Sequence, residues 1–226
     1  LKSNWNIYTK NLNTVAKNDT LYKSSPQLEL MGIFEAQSSL PLIKLGDFYD
    51  TYLTPKASIR FNPSDMKDYS TDNRNILSSN IFSLNRLGLS DTFEAGQSLT
   101  LGLEYKKENI ENINKYFEFK IGSVFRDKVE NNIPVSSSIN QKGGNLIGSL
   151  KHSISENFSF DYNFSVDNDL ATVEYNSFGG NINVNKFQSS IKYTEENGKV
   201  GDTNTIENTF QYDFDEKNYL RFNTRR

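Results

Sequence analysis

Charged side chains recur in this chain where large apolar residues alternate with small polar ones: Lys56, Arg60, Glu94, Glu104, Glu118, Lys120, Arg126 and Asp161. Mixed signs at alternating positions suit ion pairs between strands, or the lining of a wet interior. They do not suit catalysis. Cysteine is absent and His152 is the only histidine, so a zinc site of the usual nitrogen and sulfur type is not expected. Asp167-Asn168-Asp169 lacks the length and closing glutamate of a calcium loop and reads as a tight turn. Gly143-Gly144 has no following Lys-Ser/Thr to cradle phosphate. Glu195-Glu196 stands beside Asn197-Gly198, with no nucleophile or base near it in the sequence. Asn18-Asp19-Thr20, Asn157-Phe158-Ser159 and Asn163-Phe164-Ser165 match the glycosylation pattern, which an Asn-rich chain produces by chance. No catalytic residue, metal or cofactor is expected.

The elements that must position these charges are strands. Residues 157–166 read NFSFDYNFSV: Phe158, Phe160, Tyr162 and Phe164 share one parity, and Ser159, Asp161, Asn163 and Ser165 the other. Side chains alternate faces along a strand, so one face is aromatic and the other polar. The same alternation predicts eleven strands, near 4–9, 27–36, 53–62, 93–105, 117–126, 145–154, 157–166, 170–184, 187–193, 206–214 and 219–223. In the fourth, Phe93 and Tyr105 bracket Leu99, Leu101 and Leu103. Aromatic ends around an aliphatic middle are expected of a lipid-facing band. In the eighth, apolar residues change parity across Gly179-Gly180, which predicts a bulge there.

The connections alternate too. Those near 37–49, 106–112, 155–156, 185–186 and 215–218 are compact, whereas those near 12–26, 63–91, 127–144 and 195–204 are longer; the turn at 167–169 breaks the trend. Outer-membrane barrels have short periplasmic turns and longer outer loops. Composition agrees. Only 35% of the 226 residues are hydrophobic, yet 13% are aromatic, which excludes ordinary disorder and suits strands with one apolar face. A net charge of −3 with no basic patch gives no sign of nucleic acid. No apolar run reaches the length of a membrane helix. The expected fold is therefore all-β: an antiparallel transmembrane β-barrel segment of about eleven strands. A soluble β-sandwich or solenoid that binds or adheres remains open, because a second sheet would also bury the apolar faces.

LTPKASIRFNP (53–63), the loop sequence Asn80-Ile81-Phe82-Ser83-Leu84-Asn85-Arg86, and the strand ending Gly102-Leu103-Glu104-Tyr105 resemble the barrel of the lipopolysaccharide-assembly family LptD, also called organic solvent tolerance proteins. ENTFQYDFDEKNYLRFNTRR (207–226) is similar to paired strands near that family's C-terminal end. The resemblance implies that residues 1–226 are part of one outer-membrane barrel domain, cut from a longer chain at both ends. It implies a cell outer membrane location of Gram-negative type. It implies insertion of lipopolysaccharide into the outer leaflet, with a lipoprotein plug and periplasmic bridge proteins as partners and membrane lipid around the wall. The family's cysteines would lie outside this segment. The charged residues named first would face the lumen or the plug, the loop 63–91 carrying Asn80, Phe82 and Arg86 would fold over the extracellular mouth, and Arg86 would fix that loop through an internal salt bridge. Phe93, Leu99, Leu101, Leu103, Tyr105, Phe158, Phe160, Tyr162 and Phe164 would face lipid. A passive porin shares the strand rhythm and remains an alternative. Expressed alone, an odd-stranded piece with open edges is expected to aggregate.

Overall fold

The computed structural model describes residues 2–12, 16–18, 21–22 and 29–226. Its strands are β1 (Lys2–Leu12), β2 (Ala16–Asn18), β3 (Leu21–Tyr22), β4 (Glu29–Ser39), β5 (Leu42–Lys44), β6 (Tyr49–Asn62), β7 (Gly96–Asn109), β8 (Tyr116–Arg126), β9 (Leu146–Ser155), β10 (Phe158–Val166), β11 (Val173–Val184), β12 (Phe187–Glu196), β13 (Thr203–Asp213) and β14 (Tyr219–Arg225). Among the described residues the only helical element is a 3-10 turn at Val135–Ser137.

One sheet runs in the order β1-β4-β6-β7-β8-β9-β10-β11-β12-β13-β14, with β5 paired to β6 and β2 paired to β3 separately. The pairs along it are antiparallel, each strand beside the next long one in the chain. These eleven long strands are the eleven expected from alternation. Sequential pairing follows from the turns. Asn185 takes a left-handed φ of 53° in the two-residue link from β11 to β12, a conformation asparagine tolerates. In the link from β10 to β11, the Asp167 carboxylate accepts the backbone N–H of Ala171 at 2.9 Å and of Thr172 at 3.0 Å, which closes the turn. The 63–95 and 127–145 connections leave from one end of the sheet, together with the shorter 167–172 and 197–202 links, and the 110–115, 156–157, 185–186 and 214–218 turns leave from the other.

The two faces are inverted relative to a water-soluble sheet. The apolar parity is the bare one: Phe34 is 45% exposed, Ile59 61%, Leu101 45%, Phe178 48%, Ile191 51% and Phe222 60%. Under the loops, on β6, β7, β8 and β11, the polar parity is covered, with Ser58, Arg60, Asn62, Ser98, Thr100, Arg126 and Ser177 all buried, whereas β14 is exposed on both faces. The cover is the 63–95 connection together with 127–145. Met66, Ile76, Ile81, Leu87, Leu89 and Ala95 from the first meet Ile133 and Ile139 from the second, over Val124 of β8 and Ile147 of β9. The two connections also bond to each other: Tyr69 N–H donates to Asn132 O at 3.0 Å and Arg74 N–H to Ser136 Oγ at 2.8 Å.

Two local expectations are corrected. β7 begins at Gly96, so Phe93, Glu94 and Ala95 precede the strand. Gly96 has φ +78°, and the space a Cβ would take lies 3.2 Å from the Arg126 guanidinium. The chain turns there, and Phe93 swings to the covered face, packed with Met31, Ile33 and Leu84. It is not part of the bare apolar band. The bulge is also not at Gly179-Gly180. β11 stays in register with β10 through both glycines, and the shift lies between Ser165 and Val166, opposite Glu174. The glycines serve a close approach instead: a Cβ on Gly179 would stand 2.6 Å from Asp161 Oδ1 across the pair. The 12–26 connection, the Asn18-Asp19-Thr20 sequence and the side chains expected on opposite faces near 4–9 and 27–28 fall wholly or partly outside the described residues.

Candidate functional site

Three neighbouring strands place small or polar residues on the covered face, and one loop sequence uses them. Gly102 of β7 and Gly122 of β8 are directly paired. Above them the absent side chains leave a shallow seat. A Cβ on Gly102 would lie 2.7 Å from the Phe82 ring, and one on Gly122 would lie 3.3 Å from Ile81 Cδ1. Ile81 and Phe82 therefore dock on backbone. Lys56 of β6, paired opposite Gly102, places its ammonium 5.7 Å from the Phe82 ring centre. The rest of the loop sequence shapes the turn. Asn80 Oδ1 accepts the Leu77 N–H at 2.8 Å. Asn85 donates to Leu89 O at 2.7 Å and accepts the Leu89 N–H.

Buried charge then ties loop to wall. Arg86 Nε donates to Glu94 Oε2 at 2.7 Å, and its Nη2 donates to Glu94 Oε1. Its Nη1 donates to Thr100 Oγ1 at 2.9 Å on β7. Arg126 of β8 reaches the same Glu94 oxygen and the carbonyl of Ala95. One carboxylate thus bridges the loop and a third strand. Beside it, Arg60 of β6 donates to Glu35 Oε1 of β4 from Nε at 2.9 Å and Nη2 at 2.8 Å, and to the Ser83 carbonyl at 2.6 Å. Ser58 Oγ donates to the same Glu35 oxygen at 2.8 Å. Planar guanidinium forks suit such multiple carboxylate and carbonyl contacts, whereas a lysine could not span them.

Glu94 lies off the strands. Burial alone would raise its pKa, but the adjacent Arg86 charge and hydrogen bond, with Arg126 and Arg60 beyond, outweigh it and hold the carboxyl down to about 2. It is ionised at any ordinary pH. Removing one partner of such a buried pair leaves an uncompensated charge and costs about 3–5 kcal/mol. A looser group lies toward the solvent end of the loop. Tyr69 O–H donates to Asp91, and Lys67 Nζ reaches the same carboxylate at 3.0 Å. The Asp91 bond, with burial, pushes the Tyr69 phenol up to about 12.

The charges singled out from the sequence do not form one cluster. Arg60, Glu94 and Arg126 belong to the buried network. Lys56 and Glu104 pair at 2.6 Å and are about a quarter to a third exposed. Glu118 and Lys120 pair at 3.0 Å further along β8. Asp161 stands apart on β10, meeting Asn163 at 3.3 Å. All of them occupy the polar parity of their strands or, for Glu94, the loop covering it. Leu99, Leu101, Leu103, Tyr105, Phe158, Phe160, Tyr162 and Phe164 occupy the opposite parity. Sequence reading did not single out Glu35, Thr100 or Gly122, and named Gly102 only as part of a family-like strand. A signal existed for the glycines, which sit at polar positions of otherwise regular strands. For Glu35 it did not, because its pairing with Arg60 depends on register.

Chemically the site is a latch. Its guanidinium groups hold carboxylates and carbonyls, with no nucleophile aligned to a base. The family model described as LPS transport system D, LptD, matches residues 6–223, nearly the whole chain. No curated protein matches it.

Proposed function

The chain belongs to the LptD family, LPS transport system D, a family of outer-membrane β-barrels concerned with lipopolysaccharide transport, and on that premise we propose that residues 1–226 form part of the barrel wall of a transporter that inserts lipopolysaccharide into the outer leaflet. The bare parity, including Leu99, Leu101, Leu103, Phe160 and Phe164, faces lipid. The polar parity, including Lys56, Arg60, Glu104, Glu118, Lys120, Arg126 and Asp161, faces the lumen. The loop 63–95 is held inside by Arg86 and Glu94. A lipoprotein plug and periplasmic bridge proteins are the partners, and the protein's part is transport rather than catalysis.

One observation carries this reading: from β4 to β11 the sheet buries polar side chains on one face and bares its apolar ones on the other. In water that arrangement wastes the hydrophobic effect, which is the main force available for folding. In lipid it is the required one, because the hydrocarbon accepts only apolar side chains and closed hydrogen bonding. A loop seated over the polar face also suits a gated path better than a standing pore.

The test uses the full reading frame containing this chain, under regulated expression in its own cells. On depletion, newly made lipopolysaccharide should stop reaching the cell surface, read by its access to an externally added lipopolysaccharide-binding probe. Unchanged surface delivery would overturn the proposal. A large steady conductance of the purified protein in planar bilayers would favour a porin instead.

A further inference from the structure

The bare face carries a groove at its short-turn end that the transport reading does not use. It has a volume of about 360 Å³ and is lined by Tyr49, Lys107, Lys115, Phe117, His152 and Ile154, among others. Its rim is built rather than incidental. The Phe48 carbonyl accepts the Ile110 N–H at 3.1 Å and Asn109 Nδ2 at 3.2 Å, so the β4–β6 and β7–β8 turns are tied together beside it. From the groove an aromatic row crosses the strands. Tyr105, Phe117, His152, Phe160 and Phe178 follow one another with ring centres 5.5–6.2 Å apart. His152 is fixed in that row by a contact between Nδ1 and the Tyr116 carbonyl at 3.1 Å.

The groove's charge is one-sided. Lys107 and Lys115 are both exposed. Lys107 lies 4.7 Å from the Tyr49 ring centre. Among the described residues neither forms an ion pair, although the adjacent Lys106 pairs with Glu108. Two ammonium groups at one groove, Lys107 over the Tyr49 ring and Lys115 beside it in the lining, at the end of a lipid-facing band, match one kind of ligand. That ligand has an anionic phosphodiester at interfacial depth and a hydrocarbon chain running along the wall.

We propose that this groove seats the headgroup of a phospholipid from the leaflet at the short-turn end. Lys107 and Lys115 meet the phosphodiester, Tyr49 and His152 flank the glycerol, and Phe117 and Phe160 carry the acyl chain. The proposal rests on the reading of the bare face as lipid-facing.

The test is native mass spectrometry of the full-length barrel released from detergent. It is titrated with phosphatidylglycerol, with phosphatidylethanolamine, and with diacylglycerol as the phosphate-free control. One molecule of either phospholipid should bind well above the background of diacylglycerol. In K107A/K115A that affinity should fall on the order of 30-fold, from about one charge contact per lysine. Inorganic phosphate at millimolar concentration should not displace the lipid, because the chain supplies part of the binding. Equal binding of diacylglycerol, or undiminished phospholipid binding by the double variant, would overturn the proposal. So would displacement by phosphate, which would reduce the groove to a free-anion site. The headgroup comparison needs only the unaltered protein, so a variant that fails to assemble leaves a decision in hand. A chain that stays soluble and monomeric without detergent would sink the barrel reading itself, a result distinct from a barrel that lacks this lipid.

Discussion

Glu94 is the residue on which most of the loop's attachment converges, because it answers two arginines from different elements. Glu94→Gln removes the charge while keeping the shape, and both guanidinium groups then lose their counter-ion in a buried site. A loss of about 3–5 kcal/mol is expected, read as faster amide exchange over 81–89 while the strands stay protected. The pH dependence has a definite sign. The folded pKa is depressed from 4.5 to about 2, so the carboxylate's contribution is complete above the unfolded value and is lost as pH falls through the folded one. Loop protection should be level from neutral to mildly acid pH and decline between about 4.5 and 2. A decline near pH 6 would point to another group. Lys56 gives the contrast. Its pair with Glu104 is partly exposed, and Lys56→Ala should cost less than about 1 kcal/mol in the same assay.

Among the elements, the pairing of β7 with β8 is tuned to the loop above it. Gly102 and Gly122 lie opposite each other, so the seat for Phe82 and Ile81 exists only while both positions lack side chains. Gly102→Val places new carbons where the Phe82 ring and the Ile121 carbonyl already stand, at 2.7 and 3.0 Å. The strand itself should survive, since valine suits a strand. The loop should lift, and limited proteolysis between 63 and 95 should rise several-fold with the barrel's heat-resistant migration unchanged. Cleavage at the unaltered rate would show that the glycine seat is not what holds the loop.

For the whole molecule, the decisive quantity is what the bare face touches. Leu101 is 45% exposed at the middle of β7. In a water-soluble sheet, Leu101→Arg at so open a position would change stability by less than about 0.5 kcal/mol. Facing the bilayer midplane, the same change should cost about 2–4 kcal/mol, measured by urea unfolding of the full-length barrel in lipid vesicles. A near-zero cost there would contradict the lipid-facing assignment for this strand.

The amino-acid sequence by itself determined the eleven long strands and the chemistry of their two faces, though not the short β2, β3 and β5. Alternation is a local property, written in consecutive residues such as 157–166, and the strand backbone converts it directly into sidedness. It also determined the family, through LTPKASIRFNP and the Asn80–Arg86 sequence, which the match over 6–223 bears out. What only the tertiary structure decided depends on residues far apart in the chain. That Glu35 answers Arg60 is a matter of register between β4 and β6. That Phe93 turns inward goes with the left-handed backbone of Gly96, where Arg126 of the next strand occupies the space beside it. That the polar face is covered at all follows from a loop of mixed composition finding glycines on two other strands. Periodicity carries no information about those meetings, because each side chain's partner is chosen by pairing and packing after the strands have formed.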